Sequence, residues 1–257
     1  MSDRAAAPRW LLAIDASTPR CAVALGHIDP ATGVSTLVVD DTRDDGPNQA
    51  SVRLFPRIED ALAIAGIGPH QLAAIACGRG PGTFTGTRVA VASAKGLAYG
   101  VGCPVISVST LAAMAASADH QGTVLAVLDA RRGEVYGGTW RCEHGPGQAS
   151  TGPQPQGEER VAPLAELLAA MQPCPDDLRV VGSGVEPYRD ALPAELAATA
   201  LSLPGPTGAG LWTVAVSAWA AGATIHPAAL DAVYLRASYA EMGVHPPKRP
   251  FVKSPFV

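Results

Sequence analysis

The sequence predicts an α/β protein built as two lobes of related topology, with mixed sheets flanked by helices. Three observations carry that reading. Short apolar runs alternate with segments of helical periodicity along the 257 residues, the order that puts strands in a sheet and helices on its faces. Each half opens on an apolar run ending in Asp, a tight turn and a second apolar run. Those openings, LLAIDASTPRCAVAL at 11–25 and VLAVLDARRGEVYGG at 124–138, recur about a hundred residues apart, too far for a solenoid period.

Taken in order, residues 10–28 read as two strands around a turn at Ser17-Thr18-Pro19-Arg20, because apolar runs flank Pro and hydroxyl residues. A third strand is expected at 35–40, then a polar loop, DTRDDGPN, at 41–48. Over 49–65, Val52, Phe55, Ile58, Ala61, Leu62 and Ala65 recur at helical spacing. Pro56 inside that pattern removes a backbone hydrogen bond, so a kink or a fresh helix start is expected there. QLAAIAC at 71–77 is a short buried strand, followed by the loop GRGPGTFTG (78–86) and a helix at 87–99. A strand at 104–109 and a short helix at 110–117 close the first half.

The second half has a hairpin at 123–140 and a Pro/Gly-rich surface loop at 143–160. A helix at 163–171, a strand at 178–182, a glycine turn at 182–184 and a helix at 211–222 follow. AVYLR (232–236) reads as a strand, and HPPKRPFVKSPFV has no periodicity. The expected units are 1–108, 109–226 and a terminal strand and tail at 227–257.

Composition narrows the function classes. At 47% apolar residues a sizeable core is available. A net charge of −4 argues against a free-standing nucleic-acid binder, which needs a basic face to displace counterions. Residues 10–14 are too short for a secretory h-region, and no apolar run approaches the ~20 residues of a membrane span. The five cysteines are widely spaced with no CxxC, as in a reduced, cytoplasmic protein.

GRGPGTFTG invites a phosphate-binding reading. A P-loop needs two glycines five apart followed by Lys and Ser/Thr; Gly78, Gly80, Gly82 and Gly86 supply no such pair. A dinucleotide fingerprint needs a third glycine where Thr83 or Thr85 stands. Two readings stay open: an anion site of backbone N–H groups beside Thr83, Thr85 and Thr87, or a tight turn with a threonine capping the helix. Asp15 and Asp129, each ending an apolar strand, are candidate polar groups or simple turn residues. The six histidines form no HExxH, HxH or HxxxH pair, and no GxSxG elbow occurs. The helix after the loop carries Ala90, Ala94 and Ala98 at i+4 spacing with Gly96 and Gly100 beside them. It is apolar nearly all round, so it is covered on most sides, by its own lobe or by another chain.

LLAIDAS (11–17), GRGPGTFTGTRVAVASAKGLAYG (78–100), PVISVSTL (104–111), LDARRGEVY (128–136) and AVYLR (232–236) together resemble the TsaB family, in order over most of the chain. That family is the partner subunit in synthesis of threonylcarbamoyladenosine on tRNA. The resemblance implies an actin-like (ribonuclease H-like) fold whose second lobe is reduced. It also implies pairing with the catalytic paralogue TsaD, which transfers the threonylcarbamoyl group to the adenosine beside the anticodon, and a further ATPase partner, TsaE. A homodimer is implied when TsaD is absent, and tRNA contact only indirectly. It implies no catalysis and no cofactor in this chain, ATP or ADP entering only at the level of the complex.

On that resemblance, the partner interface is expected at Leu54, Phe55, Ile58, Ala90, Ala94 and Leu97, with Ala94→Arg as the variant that blocks pairing. A vestigial nucleotide or anion site would comprise Asp15, Gly80, Gly82, Thr83, Thr85, Gly182 and Gly184. Arg79, Arg88, Arg131 and Arg132 are candidates for TsaE or tRNA contact, or ordinary solvated arginines. No metal site is expected: TsaD holds its metal with a His-x-x-x-His pair, whereas NQASVRLFPRIEDAL (48–62) has no histidine, and Asn48 stands near where many TsaB proteins keep one. The rival reading is a small ATP-dependent phosphotransferase using Asp15 and the glycine loop. A metalloprotease-like hydrolase is disfavoured by the missing ligand pair.

Overall fold

In β1 (Arg9–Asp15), Leu11, Leu12, Ala13 and Ile14 are all fully buried. Successive strand side chains point to opposite faces, so this sheet must be covered on both. The computed structural model describes residues 7–44, 49–143 and 151–236. Asn48, residues 144–150 of the expected loop and the tail beyond 236 lie outside them.

The first sheet contains β1, β2 (Ala22–Ile28), β3 (Ser35–Asp41), β4 (Leu72–Gly78), β5 (Val105–Val108) and β11 (Thr224–Ile225), in the order β11-β5-β4-β1-β2-β3. β1, β2 and β3 form an antiparallel meander, and β4 and β5 run parallel to β1. This is the ribonuclease H-like strand order. Leu12, Ile14, Val23, Leu25 and Ile75 face α1 (Ala50–Ala65) and α2 (Phe84–Val101). The alternate residues Leu11, Ala13, Ala22, Ala24, Ala74 and Ala76 face α6 (Gly208–Ala220), where Trp212 fills the space the alanines leave. Residues 208–225 thus return to the first lobe, which is not the contiguous stretch 1–108.

The second sheet is smaller: β6 (Gly122–Arg131), β7 (Glu134–Cys142), β8 (Gln154–Pro155) and β10 (Arg179–Val181) in the order β10-β6-β7-β8, with β9 (Arg160–Ala162) also on β7. The β6–β7 hairpin with β10 parallel to β6 repeats the β1–β2 hairpin with β4 parallel to β1. Between the sheets lies α3 (Thr110–Ala116), every residue of which is buried. Leu111, Met114 and Ala115 pack on Val124, Ala126 and Leu128 of β6, while Ala113 packs with the α6 side of the first sheet. α4 (Leu164–Ala169) covers the other face of β6 through Leu164, Leu167 and Leu168.

Several expectations need correction. α1 runs unbroken through Pro56, because Leu54, Ile58, Ala61 and Leu62 seat it on the sheet. α2 starts at Phe84, three residues earlier than periodicity suggests, since Thr83 caps it by accepting from Gly86 N at 3.2 Å. Residues 232–236 form no strand; Val233 N donates to Arg79 O at 2.9 Å without a ladder around it. The short β8, β9, β11 and α5 (Ala194–Thr199) went unanticipated, because two to six residues carry too little periodicity to read.

Candidate functional site

Two regions gather the expected functional residues: the cleft between the lobes and the outer face of α1 and α2.

At the cleft, Asp15 closes β1 and is fully buried. Its Oδ1 accepts from Ser17 N and Ser17 Oγ, both at 2.7 Å, and its Oδ2 accepts from Thr110 Oγ1 at 2.7 Å. Burial pushes this carboxyl above its ordinary pKa, while the Ser17 and Thr110 hydrogen bonds pull it back. The glycine loop is stitched onto the same turn. Gly80 N donates to Thr110 Oγ1 at 3.2 Å, Arg79 N to Val108 O at 2.9 Å and Thr83 N to Ser17 O at 2.6 Å. A Cβ on Gly78 would lie 2.0 Å from Asp15 Oδ2, one on Gly82 2.3 Å from Ser17 O and one on Gly86 2.0 Å from Ala16 O. These glycines are required for close approach, and the donors of Arg79, Gly80 and Thr83 are taken up within the protein.

The open part of the cleft, about 250 Å³, is lined by Ser17, Thr18, Gly82, Thr83, Asp129 and Ser183, among others. Asp129 is the second-lobe counterpart of Asp15, but it reaches the cleft wall. Its Oδ1 accepts from Arg131 N at 2.8 Å and Tyr188 OH at 3.0 Å, and its Oδ2 lies 3.0 Å from Arg131 Nη1. Gly182 and Gly184 sit behind the wall, where a Cβ on Gly182 would lie 2.1 Å from Val127 O and Gly184 N donates to that carbonyl at 3.1 Å. Thr85 is exposed on the first turn of α2. Of the seven residues proposed for a nucleotide site, only Gly82 and Thr83 line the cavity itself. Among the described residues no cluster of three His, Cys, Asp or Glu side chains could hold a metal.

The α1–α2 face requires a clear correction. Leu54, Ile58, Ala90 and Ala94 are at most 2% exposed, sealed in the lobe's own core. They cannot meet a partner, and an arginine at Ala94 would be driven into that core. Only Phe55, 46% exposed, and the partly buried Leu97 reach outward. The stripe Leu54, Ile58, Ala61, Leu62 is the one α1 turns toward its sheet, as an amphipathic helix must. Outward instead stand Val52, Phe55 and Ile64 of α1, and the ridge Phe84, Arg88, Ala92, Gly96, Gly100 of α2, spaced every four residues. Between the helices, Phe55, Pro69, His70, Gly96, Leu97 and Gly100 line an open groove of about 550 Å³.

The four arginines do not form one patch. Arg131 and Arg132 occupy the β6–β7 hairpin tip in left-handed conformation, with φ of 64° and 60°. Arg79 lies in the glycine loop, near Glu159, whose carboxyl is raised by burial and lowered by Ser109 and Arg79. Arg88 is exposed on α2. Sequence reasoning overlooked Arg57, a buried α1 side chain that donates to Cys21 O, and to Arg43 O at 3.2 Å, and lies 3.4 Å from Asp41. Its only signal was a charge within an otherwise apolar helical pattern.

A family model described as TsaD, tRNA N6-adenosine threonylcarbamoyltransferase, matches residues 47–185. The chain is 43% identical over 129 residues to the tRNA threonylcarbamoyladenosine biosynthesis protein TsaB of Haemophilus influenzae, covering 49% of this chain and 51% of that protein. It is 40% identical to TsaB of Escherichia coli over 49% of this chain and 52% of that protein. These matches span about half the length of those curated relatives. A solved structure of YeaZ from Pseudomonas aeruginosa superposes with a TM-score of 0.68 at 31% identity, covering 87% of this chain and 100% of that one.

Proposed function

The chain belongs to the TsaB (YeaZ) branch of the TsaD family, and from that premise we propose that it is a non-catalytic, cytoplasmic subunit that binds and activates TsaD. The reaction it serves is threonylcarbamoyl transfer to the adenosine beside the anticodon of tRNA. TsaE would join that complex, a homodimer would use the same face when TsaD is absent, and ATP or ADP would enter only there. The observation that carries this reading is the outward groove of α1 and α2, with exposed Phe55 beside Gly96 and Gly100. Among the described residues, and beyond the helix's own nearby backbone, no atom lies within 4 Å of a Cβ built on either glycine. Each exposed helix glycine forgoes about 1 kcal/mol relative to alanine, a cost that close approach of a partner helix offsets through dispersion contacts.

An accessory role also fits the cleft, where Asp15 is buried and the backbone N–H groups of Arg79, Gly80 and Thr83 are bonded within the protein. Among the described residues, no helix is long and apolar enough to cross a membrane. The deciding experiment is co-purification with TsaD. Gly96→Arg is expected to abolish it without loss of fold, and undiminished pairing would refute the interface. Calorimetry of the lone chain with Mg-ATP is expected to show no saturable heat; uptake and turnover would instead favour the phosphotransferase reading.

A further inference from the structure

At the N-terminal end of the outward α2 ridge, three exposed side chains are locked together. Phe84 and Tyr234, 55% and 48% exposed, lie with ring centroids 5.7 Å apart. Arg88, one turn beyond Phe84, places its guanidinium 3.7 Å from the Phe84 ring centroid, and its Nε donates to Tyr234 OH at 2.8 Å. Arg43, Arg57, Arg131, Arg141, Arg189 and Arg236 each pair with an Asp or Glu. Arg88 has no carboxylate partner among the described residues, and its two Nη groups make no hydrogen bond there. One face of the guanidinium is held by an aromatic ring and one edge by a phenol, and the terminal fork is left open.

We infer that Arg88 is an anchor for a carboxylate of the protein partner that docks on the α1–α2 face. The inference rests on the TsaD-binding reading and adds a charged contact to it. A guanidinium fork matches a carboxylate in bidentate fashion. Stacking on Phe84 and the bond to Tyr234 fix its rotamer beforehand, so less side-chain entropy is lost on docking. The two rings form the apolar rim that keeps water from such a contact. Arg88 lies about 12 Å along the helix from Gly96 at 1.5 Å per residue, within one interface of ordinary size. RNA is the weaker match: phosphate-backbone binding sums over several cations, whereas this chain has a net charge of −4 and Arg131 is paired with Asp129.

The test is titration calorimetry of purified TsaD against the full chain and its variants at low and at high salt, with a thermal melt of each variant. Arg88→Ala is expected to weaken binding by roughly ten- to a hundredfold, the range for a charge-assisted contact at a buried anchor, and to flatten the salt dependence. Arg88→Lys keeps the charge but not the fork and should recover only part of the loss. Tyr234→Phe removes the hydrogen bond that orients the fork and should cost less than Arg88→Ala. Anisotropy with labelled tRNA supplies the other arm. Loss of tRNA affinity with TsaD affinity intact would overturn the inference in favour of an RNA contact. TsaD binding within twofold of wild type for Arg88→Ala would overturn it alone if Gly96→Arg still abolishes binding. A wild-type chain that never binds TsaD would overturn both readings.

Discussion

Thr110 donates its hydroxyl to Asp15 Oδ2 at 2.7 Å, joining the end of β1 to the first residue of α3 across 95 positions of sequence. The same hydroxyl accepts from Gly80 N. One threonine therefore holds the strand end, the glycine loop and the inter-lobe helix in register.

The glycines of the chain should respond in opposite directions to one added methyl group. Gly82→Ala puts a Cβ 2.3 Å from the Ser17 carbonyl oxygen and is expected to cost about 1–3 kcal/mol or more. Gly96→Ala meets nothing within 4 Å among the described residues outside its own helix turn and should gain about 1 kcal/mol from helix propensity. Urea denaturation of both variants checks this; a Gly82→Ala protein as stable as wild type would remove the close-approach role of the loop.

Asp15 sets a pH dependence of stability. Its folded-state pKa is raised above the ordinary 3.8, first by burial. Below that ordinary value both states are protonated and the group contributes no penalty. As pH rises through the raised folded value the buried charge becomes increasingly unfavourable. Thermal melts from pH 4 to 8 should therefore show Asp15→Asn improving relative to wild type as pH rises. A difference that is constant with pH would contradict the assignment.

Substitutions two residues apart on α2 should separate folding from pairing. Ala94 is fully buried, so Ala94→Arg forces a charge into the core and should yield unfolded or insoluble protein. Gly96→Arg points into open space and should keep a native melt. Circular dichroism and solubility distinguish the two, and a stably folded Ala94→Arg would show the core to be looser than its packing indicates.

Arg57 should behave as a structural anchor of α1. Arg57→Met leaves the Cys21 and Arg43 carbonyls without this donor and Asp41 without one of its cations. A loss of about 2–4 kcal/mol is expected. Arg57→Lys should recover only part of it, because an ammonium lacks the planar fork. Chemical denaturation reads both.

The lobes, both hairpins and their shared pattern were legible because β1, β2, β6 and β7 are seven to ten residues long, enough for apolar runs to stand out. The outward face of α2, where the interface is proposed, was less so, for a geometric reason. α2 has two ridges of mostly small residues, Ala90-Ala94-Ala98 and Ala92-Gly96-Gly100, and composition alone does not say which meets the sheet. The first is buried and the second exposed. Phe84 and Arg88, extending the second ridge, were the available clue. Arg57 and the return of α6 to the first sheet depend on contacts far apart in sequence, which periodicity cannot register.

Helix α3 is common property of two cores: Leu111 and Met114 are seated in the second lobe and Ala113 in the first, and Ser117 Oγ accepts from Thr207 N at 2.8 Å. Hinged opening of the lobes would have to pull that helix out of one core or the other. A protein fastened through its middle in this way holds its two lobes at a fixed mutual angle, and in the assembly proposed above any jaw-like movement would have to come from its neighbours.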